Sequence, residues 1–241
     1  MFRPMRLSFT LFWILTSGIF SQGISQNNVL DKSIAHHDPE NNWTKTTISI
    51  HIQEPRPQTP LRYSELTLDL GSGTFDLTRA YEPGIVSRII SETGEPTILL
   101  NGSADIDEEI VEEFRLDPSR NSGSRGFYKM MIGLPMSLQD EIVSEVVEMG
   151  SGMFHGIEVH VVRAKLNESL ISDEWEVYFS KEDFSLKGLQ FIHDDPESED
   201  ELIVFDGSFS WDGITIPRFR HWYLADSEEY LGTDVIVKPL D

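Results

Sequence analysis

The chain has 241 residues, no cysteine, and 41 acidic against 19 basic residues, for a formal net charge of −22. Without cysteine there is no disulfide framework, no thiol nucleophile and no thiolate metal site. The acidity disfavours nucleic acid and anionic membrane surfaces, which need clustered Lys and Arg, and reads as a solvated surface that keeps an exported protein soluble.

Residues 1–25 read as a secretory signal peptide. Arg3 and Arg6 precede an apolar run from Leu7 to Phe20, and Ser21 to Ser25 offers small residues for cleavage. The run is short of the ~20 apolar residues that cross a bilayer, and no stop-transfer segment follows, so no transmembrane segment is expected. Residues 26–241 are then a single β-rich domain, with a core large enough to stand without covalent staples. With no cysteine to acylate, the expected location is periplasmic or extracellular, without lipid anchoring through cysteine.

Past the leader, Gln26 to Asp38 reads as a short helix or irregular lead-in that ends at Pro39. In Thr44 to Glu54, Ile48, Ile50 and Ile52 alternate with polar residues, the period of a strand with one wet face. Leu61 to Leu70, Phe75 to Tyr81, Ile85 to Ser91 and Thr97 to Asn101 continue the pattern as an antiparallel meander, separated by Pro- and Gly-containing turns. From Asp105, read as an N-cap, Ile106, Ile110, Val111 and Phe114 recur at helical spacing until Pro118. A second helix is expected over Ser122 to Ile132, stopped by Gly133 and Pro135. Gly150 to Gly152 reads as a turn. Strands resume over Ile157 to Leu166, Trp175 to Ser180, Leu186 to His193, Leu202 to Trp211 and in the stretch from Ile214 to Val237. About ten strands with two or three interposed helices predict an α+β fold. Its expected form is one strongly curved antiparallel sheet, like half a barrel, with the helices on the concave side. That concavity is either a hollow suited to an apolar ligand or a core filled by the helices.

The chemistry-bearing clusters are sparse. His36-His37-Asp38 is the most metal-like, yet adjacent histidines diverge from an extended backbone and no spaced ligands complete a site, so no metal or cofactor is expected. Asp105, Asp107 and Glu109 imitate the start of a calcium loop, but Ile110 and Leu116 stand where Gly and Glu are needed. No nucleophile elbow, zinc helix or phosphate-cradling loop is present, and no catalytic residue is assigned. Aromatic residues crowd the C-terminal strands. Trp43, Tyr128, Met131, Trp175, Phe191 and Trp222 are the expected lining of an apolar pocket, with core packing as the alternative for each.

Several short motifs in fixed order carry a resemblance: Ala35-His36-His37-Asp38-Pro39 with Trp43, then Tyr128 and Gly133-Leu134-Pro135-Met136, then Gly213-Ile214, Pro217, Trp222-Tyr223 and Tyr230-Leu231-Gly232-Thr233-Asp234. Across nearly the whole mature chain this resembles a family of exported proteins of unknown function found mainly in Bacteroidota. The resemblance implies a periplasmic or outer-membrane location and marks His37, Asp38, Pro39, Gly133, Pro135, Gly232 and Asp234 as family-motif residues. Members include lipoproteins, from which this chain departs in having no cysteine. More distantly, the unit from Phe205 to Trp222, with its Gly213-Ile214-Thr215-Ile216-Pro217 turn, is similar to that of lipoprotein-sorting carriers, whose half-barrel sheet shelters acyl chains beneath helices. The leading expectation is an exported, non-catalytic protein that binds a lipid-like apolar or amphipathic small molecule on the concave face. The alternatives are an envelope hydrolase using carboxylates and His37, and a structural or interaction module with no ligand cavity. No oligomeric state is implied.

Overall fold

The computed structural model describes residues 28–195 and 198–239; the signal read at 1–25 lies outside them. The elements run α1 (Val29–His37), β1 (Thr47–Glu54), β2 (Arg62–Asp69), β3 (Phe75–Tyr81), β4 (Gly84–Ile90), β5 (Pro96–Leu100), α2 (Glu108–Glu113) and α3 (Asn121–Gly133). They continue as β6 (Val143–Phe154), β7 (Ile157–Leu170), β8 (Ser172–Ser180), β9 (Leu186–Ile192), β10 (Glu201–Asp206), β11 (Phe209–Trp211), β12 (Ile214–Ile216), β13 (Phe219–Leu224) and β14 (Tyr230–Pro239). Twelve strands form one antiparallel sheet in the order β5-β4-β3-β2-β1-β14-β13-β10-β9-β8-β7-β6, and β11 and β12 form a separate hairpin. Two meanders are thus joined through β14, which pairs with β1 on one side and β13 on the other.

The sheet is open but strongly curved, and α3 shows why. Ten strand spacings separate β5 from β7 in that order; laid flat, at about 4.8 Å each, they would span about 48 Å. The thirteen residues of α3 make a helix only about 20 Å long. Yet α3 packs against β4, β5 and β7. Asn121, fully buried at its start, donates through Nδ2 to the carbonyls of Ile89 (3.0 Å) and Thr97 (2.8 Å). Gly126 faces the Leu170 side chain, the Cβ it lacks falling 3.5 Å from Leu170 Cδ2. Both meanders curl towards one helix, so the α+β half-barrel expectation holds, with fourteen strands in place of about ten.

Register places the inward residues on this concave face. Ile48, Ile50 and Ile52 of β1 lie beside Leu68, Leu66 and Ser64 of β2, and Leu66 and Leu68 beside Leu77 and Phe75 of β3. The apolar ones among them, with Trp43, Ile90, Ile132, Met136 and Ile236, form one cluster. The other meander supplies a second, including Val162, Ala164, Trp175, Val177, Leu189, Phe191 and Ile203, capped by Met130, Met131 and Leu134 of the α3 region. Burial of this kind contributes roughly 25 cal/mol per Å² of apolar surface and is the main stabilising term in a chain without cross-links. Helix α1 touches both clusters through Ile34. Helix α2 covers Val86 and Ile98 at the far end. All three helices therefore lie on the concave side.

Three local expectations are corrected. Gly150 and Gly152 are not a turn but part of β6, a twelve-residue edge strand exposed along nearly all its length. With neither face buried it has no reason to alternate apolar and polar residues, and its bulges beside Ser144 and Met149 suit an unpaired edge. Helix α2 starts at Glu108, with Asp107 rather than Asp105 at the N-cap, because the Leu100–Ser103 bridge keeps the preceding chain non-helical. Leu202 to Trp211 is two strands divided at Gly207, whose φ of +60° turns the chain out of the main sheet.

The end of α3 depends on one missing side chain. A Cβ on Gly133 would fall 2.1 Å from Trp43 Cζ2, inside a ring that is 3% exposed. Gly133→Ala is expected to destabilise the protein by about 1–3 kcal/mol through overpacking. Gly123→Ala in the same helix meets nothing within 4 Å and should stabilise by up to about 1 kcal/mol. Urea midpoints of the two variants should move in opposite directions.

Candidate functional site

At one end of the concave face the inward residues change from apolar to charged. On β1 the run Ile48, Ile50, Ile52 ends in Glu54; on β2 Leu68 and Leu66 give way to Ser64 and Arg62; on β3 Phe75 and Leu77 give way to Arg79. On β13 and β14 the corresponding neighbours are Arg220 and Asp234. These side chains, with Ile52, Arg56, Phe127, Tyr128, Met131, Ile132, Glu201, Trp222 and Leu231, bound a cavity of about 280 Å³ beneath α3. One wall is apolar and the other ionic.

The ionic wall is held by cross-strand pairs. Glu54, 4% exposed, accepts from Arg62 Nη2 at 3.0 Å, Arg79 Nη2 at 3.1 Å and Ser64 Oγ at 2.5 Å. Arg79 also donates through Nε to Ser64 Oγ (2.9 Å) and through Nη2 to the Tyr128 hydroxyl. Burial pushes the Tyr128 phenol above its ordinary range, against the pull of Arg79. Opposite, Asp234 accepts from Arg56 Nη2 (2.5 Å) and Trp222 Nε1 (2.8 Å), so both its oxygens are engaged. Gly232 permits this: at φ +144° it brings no Cβ where Arg56 Cδ passes, 2.3 Å from the position one would take.

Arg220 is different. It is 3% exposed, donates Nη1 to the Pro217 carbonyl at 3.2 Å, and its Nε and Nη2 have no hydrogen-bond partner among the described residues. Its guanidinium sits over the Phe205 ring at 6.0 Å. Burial lowers its pKa to about 10, with Asp234 opposing, so it remains a cation at neutral pH. The cavity therefore holds four arginines against Glu54, Glu201 and Asp234, with the surplus charge on the least accessible group. Burial also raises the Glu201 carboxyl, against His193.

Of the six residues read as pocket lining, Tyr128, Met131 and Trp222 line the cavity. Trp43, Trp175 and Phe191 do not: Trp43 packs on Gly133, and Trp175 meets Phe191 edge-on at 5.0 Å inside the second cluster. Phe191 is one layer removed, stacked at 5.8 Å on Trp222. The arginines were missed. Their signal was present in the pattern, because Arg62, Arg79 and Arg88 occupy positions of the same parity as Leu66, Leu77 and Val86, where a strand facing only a core carries apolar residues.

His37 and Asp38 lie elsewhere and are structural. Nδ1 of His37 is 2.6 Å from the Thr215 carbonyl, which can only accept, so Nδ1 carries the proton; Nε2 accepts from Leu186 N at 3.0 Å. Both nitrogens are used by the backbone, which leaves none for the general-base role in the hydrolase alternative. Asp38 accepts from the backbone nitrogens of Asn42 and Trp43, each at 2.8 Å, and sets the chain entering β1 beyond Pro39. Gly133 and Pro135 end α3 and start the 3₁₀ turn Met136–Gln139. Among the described residues no group of three or more His, Asp or Glu is placed to hold a metal ion, and no helix is long and apolar enough to cross a membrane. The interaction-module alternative expected no open cavity, and the concave face has one.

No family model matches the chain, and no curated protein matches it. Among solved structures it is similar to a LolA superfamily protein from Nitrosomonas europaea, with a TM-score of 0.51 and 8% identity over 88% of this chain and 93% of that one. It also aligns with a DUF1329 family protein from Desulfovibrio piger (TM-score 0.44, 10% identity, 87% and 90% covered). A domain from Vibrio parahaemolyticus named for outer membrane lipoprotein sorting gives a TM-score of 0.44 at 9% identity, with 87% and 89% covered. At such identities the likeness to the first protein is one of fold.

Two measurements test this assignment of roles. Burial lowers the pKa of His37 to about 4 from 6.5, so between those values the unfolded chain binds a proton that the folded one does not. The contribution is full above pH 6.5 and is lost as pH falls towards 4, by up to about 3 kcal/mol; urea titrations of His37→Gln should show a shallower acid dependence than wild type. Arg220→Met removes a buried unpaired charge and leaves Asp234 with Arg56 and Trp222. It is expected to keep or raise the unfolding free energy from urea titration, by up to about 3 kcal/mol, whereas a large loss would identify the guanidinium as a structural element.

Proposed function

We propose that this LolA-like curved sheet binds an apolar or amphipathic, lipid-like ligand in the cavity beneath α3, as a carrier or binding protein rather than a catalyst. The observation that carries the reading is the cavity itself: a twelve-stranded sheet wraps one helix, and space of about 280 Å³ is left between them with Ile52, Phe127, Met131, Ile132 and Leu231 on its wall. Apolar burial supplies affinity there with little chemical selectivity. Tyr128 and Trp222, each with an apolar body and a fixed polar tip, stand where the apolar wall meets the ionic one. The fold likeness to a LolA superfamily protein supports this reading, as does the sequence resemblance to carriers that shelter acyl chains. The signal read at residues 1–25 supports an activity outside the cytoplasm, in the periplasm or beyond the cell.

Purified protein should yield lipid on organic extraction, or enhance the fluorescence of an apolar probe such as a naphthylamine dye. Leu231→Trp, a larger side chain at a half-buried position of the lining, should weaken probe binding at least tenfold with little change in the urea midpoint. Wild-type protein that neither carries lipid nor binds the probe would end the proposal.

A further inference from the structure

The cavity has a basic antechamber that a chain of net charge −22 gives no reason to expect. On the other side of the wall made by Arg62, Arg79, Phe127 and Tyr128 lies an open cleft of about 870 Å³. Its lining includes Arg62, Arg79, Arg88, Arg115 and Arg120 and not one carboxylate. Arg56 and Arg220 line the inner cavity and not this cleft, so seven of the ten arginines among the described residues gather round this one region. Aspartate and glutamate dominate the chain as a whole, so the local excess of cations is a departure from its own composition.

Several of these arginines form no direct ion pair among the described residues, although Asp117 acts on Arg120 and Asp234 on Arg220 through space. Arg88 uses its guanidinium on neutral acceptors, Asn121 Oδ1 at 3.3 Å and the Arg115 carbonyl at 3.1 Å. No carboxylate among the described residues forms an ion pair with Arg88, Arg115, Arg120 or Arg220. Glu54, on the inner side of this wall, is already divided between Arg62 and Arg79. A concave surface lined by cations of one sign raises the local concentration of anions, and the planar guanidinium fork matches phosphate and carboxylate oxygens.

Resting on the proposed apolar cavity, we infer that the ligand is an anionic amphiphile whose phosphate or carboxylate head group is held in the arginine cleft while its chain enters beneath α3. The apolar wall selects for a chain and the cleft for the charge. Arg115 and Arg120, exposed at the mouth, meet the head group first; Arg62 and Arg79 stand between mouth and interior.

The test compares four probes below their micelle concentrations: dodecyl phosphate, dodecanol, dodecyltrimethylammonium and inorganic phosphate, each titrated calorimetrically into the purified protein. Dodecyl phosphate should bind at least tenfold more tightly than dodecanol and more tightly still than the cation, with the preference shrinking as salt is raised. In the Arg115→Gln/Arg120→Gln double variant the ratio of phosphate to alcohol affinity should fall towards one, with the urea midpoint unchanged as the check on folding. Equal binding of dodecanol and dodecyl phosphate by wild type would overturn the head-group inference and leave the apolar reading standing. Inorganic phosphate bound as tightly as dodecyl phosphate would also overturn it, since the site would then serve a free anion. Failure of all four probes to bind would overturn both readings.

Discussion

A sheet of twelve strands cannot be covered by a helix of thirteen residues unless the sheet comes to the helix. Exposed apolar surface on the inner face would otherwise remain in water at a cost of roughly 25 cal/mol per Å², and curling is the response open to an antiparallel meander with native twist. The join at β14 makes this curl continuous from one edge to the other. Asn121 fixes one end of α3 to β4 and β5, and Trp43 lies against Gly133 at the other. The cavity opens beneath the C-terminal half of α3, between Phe127, Tyr128, Met131 and Ile132 and the sheet.

The chain has met that opening with charge rather than with more apolar side chains. The ionic residues are register neighbours, Glu54 beside Arg62, Ser64 beside Arg79 and Arg220 beside Asp234, so the same pairing that builds the sheet also assembles the polar wall. Glu54 and Asp234 have their oxygens occupied. Arg220 does not have its donors occupied, and leaving a desolvated guanidinium unpaired is unfavourable in a protein that could carry Met or Leu there.

The motif residues divide along the same line. His37, Asp38 and Gly133 act locally, by holding α1 to the β12 hairpin, turning the chain into β1 and seating Trp43. Gly232 and Asp234 act at the cavity, by letting Arg56 approach and by fixing Trp222. Paired histidines beside an aspartate look like chemistry in a linear reading, and the actual partners of His37 are backbone groups of Thr215 and Leu186, nearly 150 residues or more away in sequence.

The sequence by itself determined the inner meanders and α3, because one-sided burial imprints a period of two on a strand and close to 3.6 on a helix. Ile48, Ile50 and Ile52, or Phe127, Met131 and Ile132, could hardly be read otherwise. It left β6 unread, since an edge strand wet on both faces has no pattern to impose. Tertiary structure alone decided that Trp175 and Phe191 are core while Tyr128 and Trp222 face a hollow, for an aromatic residue has the same periodicity in either place. It decided too that arginines spread from Arg56 to Arg220 share one region: curvature and register bring them together, and neither is a property of the residues taken one at a time.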